Sequence, residues 1–363
     1  MSDEAYMRRA LTLAARGVGR TSPNPAVGAV VVRGGRIVGE GYHRRAGEPH
    51  AEVIALRDAG SRARGATLYV TLEPCCHVDK RTPPCVDAIR VSGIRTVVAA
   101  TNDPNPKVTG RGVARLRALG VAVRVGVLRE QAVRLNEAYA HWISTGLPFV
   151  TLKAASTLDG KIATAAGESR WITGPRARTH VHRLRSRVDA VLVGLGTIKA
   201  DDPELTARGG RHRRSPHRII LDERLTVPPT ARALKPREGV TTFVVATPGA
   251  AASRRRRLEA AGARVLIVKS HDGLVDLRDL MRRLGSMDMT SVLIEGGSEV
   301  NASALRAGIV NKVVIMLAPK VLGGRDAIGS VGGRSPRRLS DATALRDIAV
   351  RRVGDDVIVE GYL

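Results

Sequence analysis

Aromatic side chains are nearly missing from this chain, which has two Trp, five Tyr and two Phe in 363 residues. The interior must therefore be built from Ala, Val, Leu and Ile. A surface that stacks nucleobases on aromatic rings is not on offer. Cysteine is equally scarce, and the three present, Cys75, Cys76 and Cys85, are confined to a single short stretch. No disulfide framework can be made from an odd, clustered set, which reads instead as metal or catalytic chemistry in a reducing compartment. No apolar run approaches the length that spans a bilayer. The first residues, MSDEAYMRRALTLAARGVG, carry Asp3 and Glu4 and lack an apolar core segment, so they read as a helix of the first domain rather than a leader.

Acidic residues are also few: 34 against 59 Lys and Arg, for a net charge of +25. A basic balance suits nucleic acid, an acidic membrane surface or small anionic substrates. The basic residues are spread along the whole chain, however. Local runs such as Arg254 to Arg257 lie in polar contexts and read as solvated surface. With 43% apolar residues the chain can bury a proper interior, and its length suits two domains.

The apolar pattern predicts helix at 4–17, strands at 27–32 and through Ile37 and Val38, helix at 50–60 and strand at 67–72. It continues with helix 84–92, strand 96–100, helix 111–119, strand 121–125 and one long helix at 129–144. That alternation indicates a layered α/β domain. Turn residues at Ser144 to Pro148 place a boundary there, giving domains 1–146 and 147–363. The second half restarts with strands near 149–155, 189–194, 217–222, 241–246, 264–268, 291–295 and 312–317.

Chemistry concentrates in EPHAEVIAL (48–56) and TLEPCCHVDKRTPPC (71–85). A catalytic zinc takes three protein ligands and keeps one position for water, whose pKa falls to about 7. His50, Cys75 and Cys85 supply one imidazole and two thiolates. Residues 50 and 52 would diverge by roughly 200° in mid-helix, so His50 and Glu52 serve one site only if the metal sits off a helix mouth. Pro49 suits a helix start there. Cys75 follows Pro74 at a strand end, where a second helix is expected to begin and favour the thiolate. Glu52 is then free as general base and general acid. H-x-E followed by P-C and a further Cys is the pattern of zinc-dependent base deaminases. Cys76 reads as a small packing residue.

With these residues in hand the whole chain resembles the bifunctional riboflavin-biosynthesis deaminase–reductases. The matching segments include TSPNPAVGAVVV (21–32), NDPNPKVTGRG (102–112), LKAASTLDGKIAT (152–164), GESRWITG (167–174), VLVGLGTIKADDPELTAR (191–208) and LIEGGS (293–298). The loop between the cysteine ligands is one residue longer than usual, and Cys76 stands where Ser is common. The resemblance implies a cytidine-deaminase-like three-layer domain followed by a dihydrofolate-reductase-like α/β domain. It also implies zinc and NADPH as cofactors.

By the same resemblance Asn24, His43, His77 and Asp103 line the deaminase pocket, with Lys80 or Arg81 on a substrate phosphate. Asn24 as a turn residue and Asp103 as a cap remain alternatives. In the second half Ala155, Trp171, Thr197, Asp201, Gly297 and Ser298 fall near the cofactor. Ser169, Arg185, Leu205, Arg208 and Glu295 fall near the substrate, and Lys153 joins Asp201 in steering the ribose. From the residues alone the EGG turn (295–297) is either a phosphate cradle or an ordinary turn, and Trp171 is either site or core. The implied partners are phosphorylated pyrimidines, with neither nucleic acid nor membrane, in a cytoplasmic homo-oligomer. The rival is a deaminase of transfer-RNA adenosine with a basic accessory domain. A non-catalytic RNA-binding protein with a closed structural zinc is the reading from another class.

Overall fold

The computed structural model describes residues 2–77, 83–209 and 214–363, and the chain divides into two compact units, Met1–Gly146 and Leu147–Leu363.

The first unit runs α1 (Asp3–Ala14), β1 (Gly28–Arg33), β2 (Arg36–Tyr42), α2 (Ala51–Ala59), β3 (Thr67–Val70), α3 (Cys85–Val91) and β4 (Thr96–Ala99). It ends with α4 (Arg111–Ala118), β5 (Ala122–Val125), α5 (Arg129–Leu135) and α6 (Glu137–Thr145). Its five-stranded sheet has the order β2-β1-β3-β4-β5, antiparallel on the β2 side and parallel from β3 to β5. Residues of one strand face alternate layers, as the pleat requires. Val31, Leu68 and Val70 pack with α2 and α3, while Val30, Tyr69 and Val98 pack with α1. Helix α2 lies unusually close to β2. A Cβ at Gly41 would stand 2.4 Å from the Ala51 carbonyl oxygen, so only glycine lets the helix mouth settle there.

The expected long helix at 129–144 is two helices, broken at Asn136. The buried Asn136 amide accepts from Ala26 N at 2.8 Å and donates to Ala26 O at 2.9 Å. Satisfying a buried backbone pair outweighs one more turn of continuous helix.

The second unit runs β6 (Phe149–Thr157), β7 (Lys161–Ala163), α7 (Pro175–Arg185), β8 (Ala190–Gly194), α8 (Leu195–Asp201), β9 (His217–Leu221), β10 (Thr242–Ala246), α9 (Ala252–Ala260) and β11 (Ala263–Ile267). It continues with β12 (Ser270–His271), β13 (Leu274–Val275), α10 (Leu277–Ser286), β14 (Ser291–Ile294), α11 (Ser298–Arg306), β15 (Lys312–Ala318), β16 (Ile328–Gly329), β17 (Arg346–Val353) and β18 (Asp356–Tyr362). The main sheet has the order β11-β10-β9-β8-β14-β6-β15-β18-β17, parallel from β11 to β15. Apolar side chains bury both faces, with Leu192, Ile219 and Val292 on one side and Val193, Ile220 and Leu293 on the other. That is why these strands read as continuous apolar runs. Strand β14 inserts between β8 and β6, reversing the order in which strands are added, and such a reversal opens a ligand crevice at the carboxyl ends.

The closing hairpin β17–β18 is absent from the expected strands, although Gly354-Asp355 is a turn signal between its arms. Strand β17 alternates little because it is exposed on both faces, including Ile348 and Val350.

Candidate active sites

His50 is the N-cap of α2, with extended backbone (φ −71, ψ 162), so it stands just outside the helix while Glu52 lies in its first turn. This resolves the angular divergence of the two residues. His50 Nδ1 lies 3.2 Å from Cys85 Sγ and 3.5 Å from Cys75 Sγ. A tetrahedral zinc with bonds of about 2.1 Å to nitrogen and 2.3 Å to sulfur sets neighbouring ligand atoms about 3.6 Å apart. All three ligand atoms lie within 4.8 Å of one another, and the donor set fits the metal. It is Cys85, not Cys75, that opens a helix: α3 starts there after Pro84, and Cys75 lies on the preceding loop. The Cys85 backbone N–H, in the first turn of the helix, donates to Cys75 Sγ at 3.4 Å, so one helix end serves both sulfurs.

Glu52 is buried beside Cys85, and burial pushes its carboxyl above the ordinary range, as proton transfer requires. His43 is also buried. Its Nδ1 lies 3.2 Å from the Pro49 carbonyl and its Nε2 3.2 Å from Asn24 Nδ2. Nδ1–H therefore donates to Pro49, and Nε2 accepts from Asn24. The His43 and His50 rings meet edge to face at 5.3 Å. Asn24 and His43 thus share the metal-ligand neighbourhood, and half-buried His77 follows on the Cys75 loop. Asp103 is buried and accepts from Asn105 N at 2.9 Å and from the Tyr139 hydroxyl at 3.0 Å. Burial raises the Asp103 carboxyl to about 6, against the lowering effect of those two donors. Lys80 and Arg81 lie outside the described residues. Half-buried Cys76 packs against the core beneath the sheet.

Sequence reasoning missed Glu73, whose signal was its place inside the ligand motif. Its buried carboxylate accepts from Asp103 N (3.2 Å), Gly110 N (2.9 Å) and Val113 N (3.0 Å). It ties the Asp103 loop to the Cys75 loop. A Cβ at Gly112 would stand 2.0 Å from the Pro74 carbonyl oxygen, so the same approach demands glycine.

In the second unit a cavity of about 630 Å³ opens at the carboxyl ends of β6 and β14. Lys153, Arg185 and Glu295 form its buried charged floor. Arg185 Nε meets Glu295 Oε1 at 2.6 Å, Arg185 Nη2 meets Oε2 at 3.0 Å, and Lys153 Nζ lies 3.7 Å from Oε2. Burial alone would raise Glu295, but Arg185 and Lys153 outweigh it and hold the carboxyl down to about 2. The Arg185 fork is committed to Glu295, with Nη1 on the Thr206 carbonyl, so the pair faces the cavity as a unit. Ala155, Ser169, Asp201 and Leu205 line the same cavity. So does Arg208, which reaches Glu204 at 2.7 Å. Trp171 is not core. It is 64% exposed on the cavity rim, with the Arg178 guanidinium 4.6 Å from its ring centre.

Thr197 lines both this cavity and a second one of about 700 Å³, which also takes in Gly297 and Ser298 at the start of α11. Gly297 caps that helix without a side chain, and a Cβ there would meet only open space. A helix start bare of side chain, beside a cavity of this size, fits a dinucleotide pyrophosphate.

Two family models match the chain: the cytidine and deoxycytidylate deaminase zinc-binding region over residues 1–101, and the RibD C-terminal domain over residues 148–359. The riboflavin biosynthesis protein RibD of Aquifex aeolicus is 44% identical over 357 residues, covering 98% of this chain and 97% of the relative. The chain belongs to the RibD family. RibD of Escherichia coli is 43% identical over 369 residues, with 98% of each chain covered. Among solved structures, RibD of Acinetobacter baumannii (form 1) superposes with a TM-score of 0.89 at 37% identity, covering 99% of this chain and 98% of that one. A Thermotoga maritima diaminohydroxyphosphoribosylaminopyrimidine deaminase/5-amino-6-(5-phosphoribosylamino)uracil reductase gives 0.87 at 38% identity, with the same coverage. As a RibD protein the chain is a bifunctional deaminase and reductase of riboflavin biosynthesis, with zinc and NADPH as cofactors.

Proposed function

We propose that residues 1–146 deaminate 2,5-diamino-6-ribosylamino-4(3H)-pyrimidinone 5′-phosphate and that residues 147–363 then reduce its ribosyl group to ribityl. The observation that carries this reading is the three-ligand cluster of His50, Cys75 and Cys85 with buried Glu52 beside it. Zinc held there supplies an activated water at neutral pH. With zinc held there, the oxygen of that water would bond to the ring carbon that carries the amine. Glu52 would accept the water's proton and pass it to the amine, whose C–N bond breaks to release ammonia. Asn24 and His43, locked by their hydrogen bond, and Asp103 orient the ring, with His77 beside them. Lys80 or Arg81 takes the phosphate.

In the second unit NADPH supplies the hydride. Gly297 and Ser298 would hold its phosphates, and Thr197, Ala155, Asp201 and Trp171 would be its further contacts. Lys153, Ser169, Leu205 and the Arg185–Glu295 pair receive the ribosyl group. Arg208 takes its phosphate.

The partners are thus phosphorylated pyrimidines, and the enzyme works in the cytoplasm as a homo-oligomer. Strand β17 supports self-assembly: it is a sheet edge with Ile348 and Val350 exposed. Among the described residues no helix is long and apolar enough to cross a membrane. The test supplies the phosphoribosylated diaminopyrimidinone with NADPH and follows ammonia release and NADPH loss together. Glu52→Gln should abolish ammonia release while leaving reduction of the supplied deaminated intermediate intact. Full ammonia release by that variant would overturn the assignment, and light scattering of the intact chain reads the oligomer.

A further inference from the structure

Among the described residues, six cationic side chains and four carboxylates line the cavity at the carboxyl ends of β6 and β14. The surplus of two positive charges matches a phosphate monoester, which carries about −1.5 to −2 at neutral pH. Two of the carboxylates each hold two cations. Glu295 does so on the buried floor, with Arg185 and Lys153. Glu204 does so closer to solvent, with Arg208 Nη2 on Oε2 at 2.7 Å and Arg232 Nη2 on Oε1.

Arg232 reaches that carboxylate from a separate part of the chain. It opens a 3-10 turn, Arg232–Leu234, in the connection from β9 to β10. Ala233 and Leu234 are buried, and the Arg232 N–H donates to Asp202 Oδ1 at 2.8 Å, just past the end of α8. The root of the side chain is thereby fixed, while the side chain itself stays accessible. One Nη is spent on Glu204. The Nε and the other Nη have no hydrogen bond among the described residues.

Two guanidinium nitrogens held on the two oxygens of one carboxylate stand no more than about 8 Å apart. A phosphate spaces its terminal oxygens slightly wider than a carboxylate does, so a single phosphate spans the same pair of guanidinium groups. The floor is less suited, because the Arg185 fork is already spread over Glu295 and the Thr206 carbonyl. We propose that Arg232 is a second cation for the 5′-phosphate of the reductase substrate, set beside Arg208 by Glu204. The pair makes the reductase select the phosphorylated pyrimidine. The inference rests on the reductase reading of the second unit and on the phosphate role of Arg208 within it.

The test compares two substrates for the intact chain with NADPH: the deaminated intermediate carrying its 5′-phosphate, and the same compound after removal of that phosphate. The wild-type chain should favour the phosphorylated compound in kcat/KM. Arg232→Ala should cut that preference about tenfold, mainly through KM. Arg232→Lys should cut it less, because a point charge replaces the fork. Inorganic phosphate, competing with the phosphorylated compound, should inhibit the alanine variant more weakly by a similar factor. If Arg232→Ala keeps the preference, or slows both compounds alike, Arg232 is a structural residue and the proposal is overturned. A wild-type chain that reduces both compounds equally well removes the phosphate role of Arg208 and this inference together. One that reduces neither ends the reductase reading itself.

Discussion

Arg185 and Glu295 meet through two parallel hydrogen bonds, 2.6 and 3.0 Å long, between the last turn of α7 and the residue that follows β14. Both side chains are largely buried, and Lys153 adds a second cation on the same carboxylate. An excess of buried positive charge thus gathers on the floor of the cavity proposed to receive a phosphorylated sugar.

Removing the shared anion should be costly. Glu295→Gln leaves two buried cations facing a neutral amide, and breaking a buried pair in this way costs about 3–5 kcal/mol. The Glu295 carboxyl sits at about 2 when folded and near its ordinary value when unfolded. The unfolded chain therefore binds the proton more tightly, and the contribution is full above about pH 4.5 and lost as pH falls toward 2. Denaturant unfolding of the wild-type chain between pH 5 and 2 should show that loss. The variant should start less stable and lack this part of the acid slope, and equal stability at pH 7 would contradict the pairing.

Glu73 should matter as much to the first unit, though it touches no ligand sulfur. Its two oxygens satisfy three backbone donors, Asp103 N and Val113 N buried and Gly110 N part-buried. Glu73→Ala strands all three, and Glu73→Gln replaces one acceptor oxygen by a donor. At about 1–3 kcal/mol for each unsatisfied group, the alanine variant should lose several kcal/mol and the glutamine variant less. Because the same bonds hold the loop bearing Cys75, both variants should release zinc to a chelator faster than wild type. Thermal melting and timed zinc release check this. A variant that melts early but keeps its zinc would make Glu73 a stability residue alone.

The legible parts of this protein are those where one residue type answers one demand. Buried parallel strands appear as apolar runs, and the metal ligands appear because a His and a close pair of Cys, with a Glu two residues after the His, match the zinc deaminase pattern. The unread parts depend on partners far away in sequence. Nothing local announces that Asn136 will leave its helix pattern to bind Ala26, 110 positions away. Pro84 marks the expected helix at 84–92, which starts at Cys85, whereas the second helix start expected at Cys75 is a loop residue. Strand β17 escaped because an edge exposed on both faces has no apolar alternation to detect. Glu73 looked like an ordinary acidic residue, since its three donors come from the Asp103 loop and the start of α4.

Tyr139 offers the most direct test of how the deaminase pocket handles charge. Its hydroxyl donates to Asp103 Oδ1 at 3.0 Å, and both side chains are buried. Burial raises Asp103 to about 6, and the tyrosine donor is one of the two groups holding it from rising further. The folded state thus holds this proton more tightly than the unfolded chain. Its contribution to stability is present below about pH 4 and lost as pH rises through 6. If Asp103 meets the substrate as a carboxylate, the KM for deamination should rise as pH falls through about 6. Tyr139→Phe removes one donor to the charged form, so that limb should move to higher pH by roughly one unit. Since Glu52 and the metal ligands are untouched, kcat at pH 8 should stay close to wild type. A steady-state pH profile of KM and kcat for both proteins separates the outcomes. An unmoved KM limb would mean that Asp103 shapes the loop and does not bind the ring.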